Sequence, residues 1–208
     1  MLIRDNVYLL DASAAKGPMP GFHCYLVKDA EGLTLIDTSL PGRAEDILNE
    51  IKALGFETSD LKRILLTHGD MDHVGNALPL QKATGCAVYA SQPEIDMLTG
   101  VMERSPVKAA IFAKQPFTPP ELTPLPDQLA GYQIIETPGH TKGHVCFLYE
   151  DVLFAGDACS TEDGTLRGPD GKFTENMELA EKSWAKAREA DFTWVCPCHG
   201  KPIHTKIH

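Results

Sequence analysis

Hydrophobic residues occur along this chain in short runs rich in branched and aromatic side chains, separated by polar, turn-forming segments. Such runs predict β-strands, because a pleated and partly buried surface favours these residue types. The runs that we predict as strands are 6–11, 22–29, 33–38, 61–68, 86–91, 132–140, 145–151, 152–157 and 192–197. The pattern therefore predicts a sheet-rich protein with strands in both halves of the chain.

Between several of these runs the apolar residues recur at helical spacing instead. The clearest case is 41–54, where apolar residues from Ile47 to Leu54 fall on one helical face. Pro41 is predicted to open this helix and Gly55 to close it. Two further helices are predicted at 74–84 and 175–190. Alternation of strands and helices favours an α/β or layered sandwich architecture.

Two segments break the regular pattern. Residues 100–126 contain six prolines and predict a loop with one short helix, and residues 160–173 predict a second irregular loop. Long loops in compact domains often serve as lids or binding loops. We therefore expect 100–126, 160–176 and the glycine- and proline-containing segment 13–22 to choose the substrate.

Composition narrows the class of protein. With 208 residues and 43% hydrophobic residues, the chain is large enough for one large domain or two fused halves, and we predict a single domain over 1–208. The net charge of −10 and the absence of a basic run argue against nucleic-acid or anionic-membrane partners. No apolar stretch reaches the roughly 18 residues of a membrane span. Six scattered cysteines are interpreted as buried, reduced thiols, so we expect a cytoplasmic protein.

The stretch LLTHGDMDHVGN carries the first candidate chemistry. His68, Asp70, Asp72 and His73 crowd four metal-binding side chains into six positions after a predicted strand. A cluster of imidazoles and carboxylates at this spacing is typical of a metal site.

Three more potential ligands follow the ends of later strands. They are His140, Asp157 and His199, and each has a glycine beside it. One histidine after a strand is usually an ordinary loop residue, and one aspartate is usually a turn cap. Strand ends gather at one rim of a sheet, however, so these residues and the first cluster predict a shared metal centre.

The motifs HGDMDH, TPGHTKGH, FAGD and CHG, in this order, resemble those of the metallo-β-lactamase superfamily, whose general form begins with HxHxDH. The resemblance covers most of the chain, and LTLIDT with Asp37 resembles an early motif of the family. It implies an αββα sandwich of two sheets between helices, with the site at the rim of the sheets.

The resemblance also implies two metal pockets. His68, Asp70 and His140 would hold one divalent ion, Asp72, His73 and His199 would hold the other, and Asp157 would bridge both. Asp70 stands where the family commonly has histidine, which adds a negative charge and a harder oxygen ligand. Zinc is the expected metal, and the carboxylates also admit manganese or iron.

The implied reaction is hydrolysis by a hydroxide that bridges the two ions, with Asp157 and Asp72 as the catalytic carboxylates. Asp72 would also orient the nucleophile or move a proton. Asp37, Thr67 and His144 are candidate supports for the ligands, although His144 is equally interpretable as a core histidine. The sequence CPCH invites a zinc-knuckle interpretation, but two thiols on one face of a strand explain Cys196 and Cys198 more simply.

The expected substrate is a small ester, lactone, thioester or amide. An alternative is a non-haem iron-dependent oxidoreductase or sulfur dioxygenase on the same fold, since two histidines and a carboxylate also bind catalytic iron. A metal-stabilised binding module without catalysis is a third possibility. The oligomeric state is not predicted.

Overall fold

The computed structural model describes residues 1–10, 21–114 and 117–205, whose strands form two sheets and a hairpin. The first sheet is ordered along the chain: β1 (Leu2–Arg4), β2 (Val7–Leu10), β3 (Cys24–Asp29), β4 (Gly32–Ile36), β5 (Leu61–Leu65), β6 (Ala87–Ala90) and β7 (Leu122–Pro124). The second sheet has the spatial order β14 (Ile203–His204), β13 (Trp194–Pro197), β10 (Val152–Gly156), β9 (Val145–Tyr149) and β8 (Tyr132–Glu136). The hairpin pairs β11 (Ser160–Glu162) with β12 (Thr165–Arg167).

Helices lie between these strands in the chain. They are α1 (Ala44–Ala53), α2 (Met71–Val74), α3 (Ala77–Thr84), α4 (Gln92–Leu98), α5 (Pro106–Phe112) and α6 (Met177–Ala187), with a 3-10 turn at Thr58–Asp60. Within the described ranges, no helix is long and apolar enough to cross a bilayer.

Three apolar clusters show how the layers stack. The middle cluster joins the sheets, with Val27 and Leu65 of the first sheet packed among residues such as Phe147 and Phe154 of the second. One outer cluster joins the first sheet to α1, α3 and α4, and the other joins the second sheet to α6 through Trp184. Each fully buried large aliphatic or aromatic side chain contributes about 1.5–3 kcal/mol. The predicted αββα sandwich is confirmed.

Strand direction determines where the polar strand ends meet. Strands β4 to β7 are mutually parallel, so their carboxyl ends lie at one edge of the first sheet. In the second sheet β10 and β13 are parallel, and β8 runs in the same direction because β9 is antiparallel to both β8 and β10. The loops that follow β4, β5, β8, β10 and β13 are therefore free to converge.

Every predicted strand corresponds to an observed one, with shorter bounds, while some elements differ. Helix α1 begins at Ala44 rather than at Pro41, whose ring instead packs against Gly75. Gly55 does follow the helix end, with a φ of +86°. The prediction gave no separate α4, and strands β7, β11 and β12 form within the segments predicted as irregular. Residues 13–20 of the first predicted specificity loop lie outside the described residues.

Candidate metal centre

All seven predicted ligands lie at the shared rim of the two sheets. The positions are as follows: His68 and Asp70 after β5, Asp72 and His73 in α2, His140 after β8, Asp157 after β10 and His199 after β13. Aspartate is a favoured helix N-cap, and Asp70 has that position in α2. Its carboxylate makes no capping hydrogen bond, however, and is directed toward the other candidate ligands.

The first candidate pocket comprises His68, Asp70 and His140. Their potential ligand atoms lie within 4.8 Å of one another. Asp70 Oδ2 is 3.4 Å from Nε2 of His68 and 3.1 Å from Nε2 of His140. One carboxylate oxygen thus faces both imidazoles.

The second candidate pocket comprises Asp72, His73 and His199, and it includes one residue that the prediction did not assign to it. Asp72 Oδ2 is 3.7 Å from Nε2 of His73 and 3.3 Å from Nε2 of His199. The thiol of Cys198 belongs to the same cluster, within 4.8 Å of the other three ligand atoms. The second pocket therefore offers a sulfur donor as well as nitrogen and oxygen.

Asp157 lies between the two pockets. Its Oδ1 is 3.2 Å from Nε2 of His73, and its Oδ2 is 3.4 Å from Nε2 of His199. The same Oδ2 is 3.4 Å from Nε2 of His140 and 4.0 Å from that of His68. This carboxylate is thus within reach of ligands of both pockets.

Gly156 explains how Asp157 reaches this position. Its φ is +49°, and a Cβ there would come 2.5 Å from Thr67 Oγ1 and 2.8 Å from His144 Nε2. Only glycine accepts both the conformation and the close approach.

Several polar atoms at the centre favour a bound cation. Nε2 of His68 and of His73, together with Oδ1 of Asp70 and of Asp157, are buried without a hydrogen-bond partner among the described residues. Buried polar atoms are costly when unsatisfied, and a cation would satisfy such imidazole nitrogens and carboxylate oxygens. The donor set suits zinc and also fits iron or manganese, so the residues fit the implied metals.

The local charges keep two of the carboxylates ionised. Burial alone would raise the pKa of Asp70, but hydrogen bonds with His140 and His68 and the nearby Lys108 charge hold it well below the usual value. Burial would likewise raise the pKa of Asp157, and the charges of the surrounding histidines lower it far below normal. Ionised carboxylates are the form that binds a metal.

The predicted support from Asp37 and Thr67 is present as direct contacts. Asp37 Oδ2 is 2.8 Å from Nδ1 of His73, which leaves Nε2 for the pocket. The Asp37 carboxylate also accepts hydrogen bonds from the backbone N–H and the hydroxyl of Thr67, both at 2.8 Å. The Thr67 hydroxyl in turn lies 3.1 Å from Nδ1 of His68. Such contacts orient imidazole ligands.

His144 contacts the backbone of Asp157 rather than filling the core alone. Its Nε2 accepts a hydrogen bond from the backbone N–H of Asp157 at 3.1 Å, and its Nδ1 lies 2.8 Å from the Thr137 hydroxyl. Burial, and next the charge of His140, lower the pKa of His144 well below the usual value. A neutral imidazole is the form that accepts this hydrogen bond.

Cys196 and Cys198 do not act together. Cys196 packs in the middle cluster between the sheets, whereas Cys198 lies beside the second pocket. A zinc knuckle would need both thiols at one ion. All six cysteines are buried, and none forms a disulfide within the described chain.

Sequence reasoning missed two charged residues that support the first pocket. Lys108 of α5 is only 3% exposed and contacts Asp70 Oδ2 directly. Glu94 of α4 is fully buried; it accepts hydrogen bonds from Gly69 N at 2.7 Å and from Gly143 N at 2.9 Å. Burial raises its pKa. Neither lies in a motif, and the segment around Lys108 was predicted only as a loop with one short helix.

A cleft of about 1080 Å³ opens next to the candidate metal centre. Asp157 and His199 form part of its wall, and Phe22, Arg167 and Phe173, from two of the segments predicted to choose the substrate, also line it. Segment 160–173 thus borders the cleft.

The comparisons with known proteins agree with this geometry. Residues 23–199 match the family model described as the metallo-beta-lactamase superfamily. The chain is 30% identical to a probable metallo-hydrolase, YflN, of Bacillus subtilis (strain 168), over 87% of this chain and 80% of that protein. It is 33% identical to a probable polyketide biosynthesis zinc-dependent hydrolase, BaeB, of Bacillus velezensis, over 83% and 71%.

Solved structures give the same result. TTHA1623, whose crystal structure was determined in a di-iron-bound form, matches with a TM-score of 0.69 and 27% identity, over 90% of this chain and 91% of that one. The Rm3 metallo-beta-lactamase, at 24% identity and a TM-score of 0.68 over 93% and 75% of the two chains, shares the fold. The predicted relationship to this superfamily is thus confirmed, and the chain belongs to the metallo-β-lactamase superfamily.

Proposed function

We propose that this chain is a hydrolase that uses two divalent metal ions to cleave a small ester, lactone, thioester or amide. The observation that carries the proposal is the position of Asp157, whose two oxygens face imidazoles of both pockets. When bound, two divalent cations lower the pKa of water held between them and polarise a substrate carbonyl.

The residues have separate tasks in this proposal. His68, Asp70 and His140 would hold one ion, and Asp72, His73 and His199 would hold the other. Asp157 would bridge the pair and fix its spacing.

Asp72 is the residue best placed to move a proton. Its side chain is 19% exposed, against 11% for Asp157, so it is the more accessible of the two carboxylates to solvent. A carboxylate at the open side of the centre is suited to accept a proton from the attacking water and to pass it to a leaving group.

We propose zinc as the working metal. The similarity to a relative named as a zinc-dependent hydrolase supports this choice, as does the Cys198 thiol in the second pocket, because sulfur favours zinc over manganese. The proposed partner is a small molecule bound in the adjacent cleft, and the net charge of −10 opposes a nucleic acid. Six buried cysteines outside disulfides favour a reducing compartment such as the cytoplasm.

A second candidate is iron-dependent oxidation. The di-iron form of the similar protein TTHA1623 favours it, as does the set of two histidines and one carboxylate in each pocket. Such an enzyme would consume oxygen, whereas a hydrolase would not.

The test begins with elemental analysis of the purified protein and a panel of chromogenic esters, lactones and thioesters, with oxygen uptake followed in parallel. Asp157→Ala should reduce hydrolysis by about 10³-fold or more, because the bridging ligand is lost. Asp191→Ala, at an exposed aspartate away from the centre, is the matched control and should leave hydrolysis unchanged.

Full turnover by pure Asp157→Ala protein, or by protein after exhaustive chelation, would refute the hydrolase proposal. Oxygen uptake without hydrolysis across the panel would replace it with the oxidative alternative.

A further inference from the structure

We propose that Lys108 makes the two pockets unequal by competing with the metal ion for the first of them, so that the second pocket fills first. This inference rests on the proposed binding of two metal ions. It concerns the order and affinity of loading, which nothing in the family motif specifies.

The contacts of the Lys108 ammonium place it within the first pocket. Its Nζ contacts Asp70 Oδ2 and lies 3.2 Å from Nε2 of His140. Asp70 Oδ2 and His140 Nε2 lie 3.1 Å apart and are both potential metal ligands. The ammonium and a metal ion therefore require the same oxygen and the same nitrogen.

The helix that carries Lys108 is anchored to the metal-binding turn. Ser105 caps α5 by accepting a hydrogen bond from Lys108 N. Arg104 donates to the carbonyl of Gly69 at 3.2 Å, and its guanidinium stacks over the Phe112 ring at 3.5 Å. The residues before and after Lys108 in the chain are thus held in place, and this fixes its ammonium in the pocket.

Burial gives this contact its energetic importance. The Lys108 side chain is 4% exposed and that of Asp70 is 15% exposed. A buried ammonium is costly unless it is paired, and Asp70 is its carboxylate partner. A cation that bound Asp70 would have to displace this ammonium, or remain beside it against charge repulsion.

The second pocket contains no comparable competitor. In the part of the chain that the structure describes, the ion-pair partners of Asp72 and Asp157 are histidines, without a lysine or arginine nitrogen within 4.0 Å. An incoming metal ion meets only potential ligands there.

This pairing with Lys108 gives a physical role to Asp70, which stands where the family motif commonly has histidine. Histidine at position 70 would present a neutral ring to the Lys108 ammonium, whereas Asp70 presents a carboxylate that binds it. Asp70 and Lys108 together form a neutral pair that can hold the pocket before metal arrives.

The test titrates metal-free protein with Zn²⁺ by calorimetry and counts bound ions by native mass spectrometry. The wild type should bind two ions in separate steps. Lys108→Met should raise the affinity of the weaker step about tenfold or more, because the competing charge is gone. Lys114→Met, at an exposed lysine two residues beyond α5, is the matched control and should leave both steps unchanged.

Two variants assign the steps to the pockets. His140→Ala should remove the weaker step and His199→Ala the tighter one. If Lys108→Met fails to fold, as judged by thermal unfolding, Lys108→Gln replaces it.

An unchanged weaker step in the lysine variant, or a weakened one, would overturn the inference. The outcome is independent of the reaction catalysed: two steps that respond as expected without any hydrolysis would refute the proposed function and leave the inference standing. Hydrolysis combined with binding steps that the Lys108 variant leaves unchanged would support the proposed function and refute the inference.

Discussion

Asp157 lies between the two candidate pockets, which differ in what holds their other potential ligands. In the second pocket His73 is oriented by Asp37, which is itself bonded to Thr67 at the end of a central strand. In the first pocket Asp70 is bonded to a lysine from α5, and Nδ1 of His140 lies 3.2 Å from the Thr174 hydroxyl.

The difference shows that the potential ligands of one centre can be oriented both by residues of a sheet and by residues of helices and loops. The second pocket is preorganised by residues at the buried end of the sheet. The first pocket shares the contact of Thr67 with His68, but its other supports, Lys108, Glu94 and Thr174, come from outside the sheets. Preorganised ligands bind with less loss of conformational freedom. The second pocket should therefore be the more robust of the two.

The largest expected effect is a difference between the pockets in how much a ligand substitution lowers the stability of the metal-free protein. Asp70→Asn leaves the buried Lys108 ammonium without its carboxylate, and should cost about 3–5 kcal/mol of unfolding free energy at neutral pH. Asp72→Asn is the counterpart in the second pocket and should cost less, because the histidines that Asp72 contacts also face the Asp157 carboxylate. Urea unfolding of the metal-free proteins measures both; equal losses would contradict the comparison.

The pH dependence of that loss has a definite sign. The pKa of Asp70 in the folded protein lies well below its usual 3.8, so its contribution to stability is present above that value. It disappears as the pH falls through the lowered pKa. The gap between wild type and Asp70→Asn should accordingly narrow in acid, and a gap that widens there would contradict the ion pair.

A smaller effect is expected from the support of the second pocket. Asp37→Asn weakens the contact that orients His73 and should reduce metal affinity there by about 10–100-fold. Zn²⁺ titration of the tighter step measures the change. Unaltered affinity in a folded variant would show that the sheet alone holds His73 in place.

The smallest effect is expected from the support of the first pocket. Thr174→Val removes one neutral hydrogen-bonding group from His140 and should weaken the first pocket by about 2–10-fold, since such a bond contributes only about 0.5–1.5 kcal/mol. The weaker step of the titration is the readout. If Thr174→Val lost as much metal affinity as Asp37→Asn, the two pockets would not differ in how strongly their histidines are supported.

The sequence was most informative where function and backbone geometry coincide. Strand ends followed by polar residues predicted the rim, and the structure brings the seven predicted ligands together there. Contacts from Asp37 and Thr67 were expected because metal-bound imidazoles usually donate their second N–H, and both contacts are present. Their function as metal ligands and supports remains a prediction until metal binding is measured.

The rest depended on tertiary contacts that leave little trace in the chain. Lys108 follows Pro106 in a segment without strand periodicity, so nothing local shows that its ammonium is buried. Cys198 resembles any thiol near a strand until the fold sets it beside Asp72. Strand β7 forms because the edge of β6 is available to Leu122–Pro124, although the prolines predicted a loop.

Glu94 has a consequence for any redesign of the centre. Through Gly69 on one side and Gly143 on the other, this single carboxylate ties together the loops that carry the imidazoles of His68 and His140, while touching neither ring. The separation of those rings is thus governed from helix α4, and an engineer who wants a wider or narrower opening for a different ion should begin there.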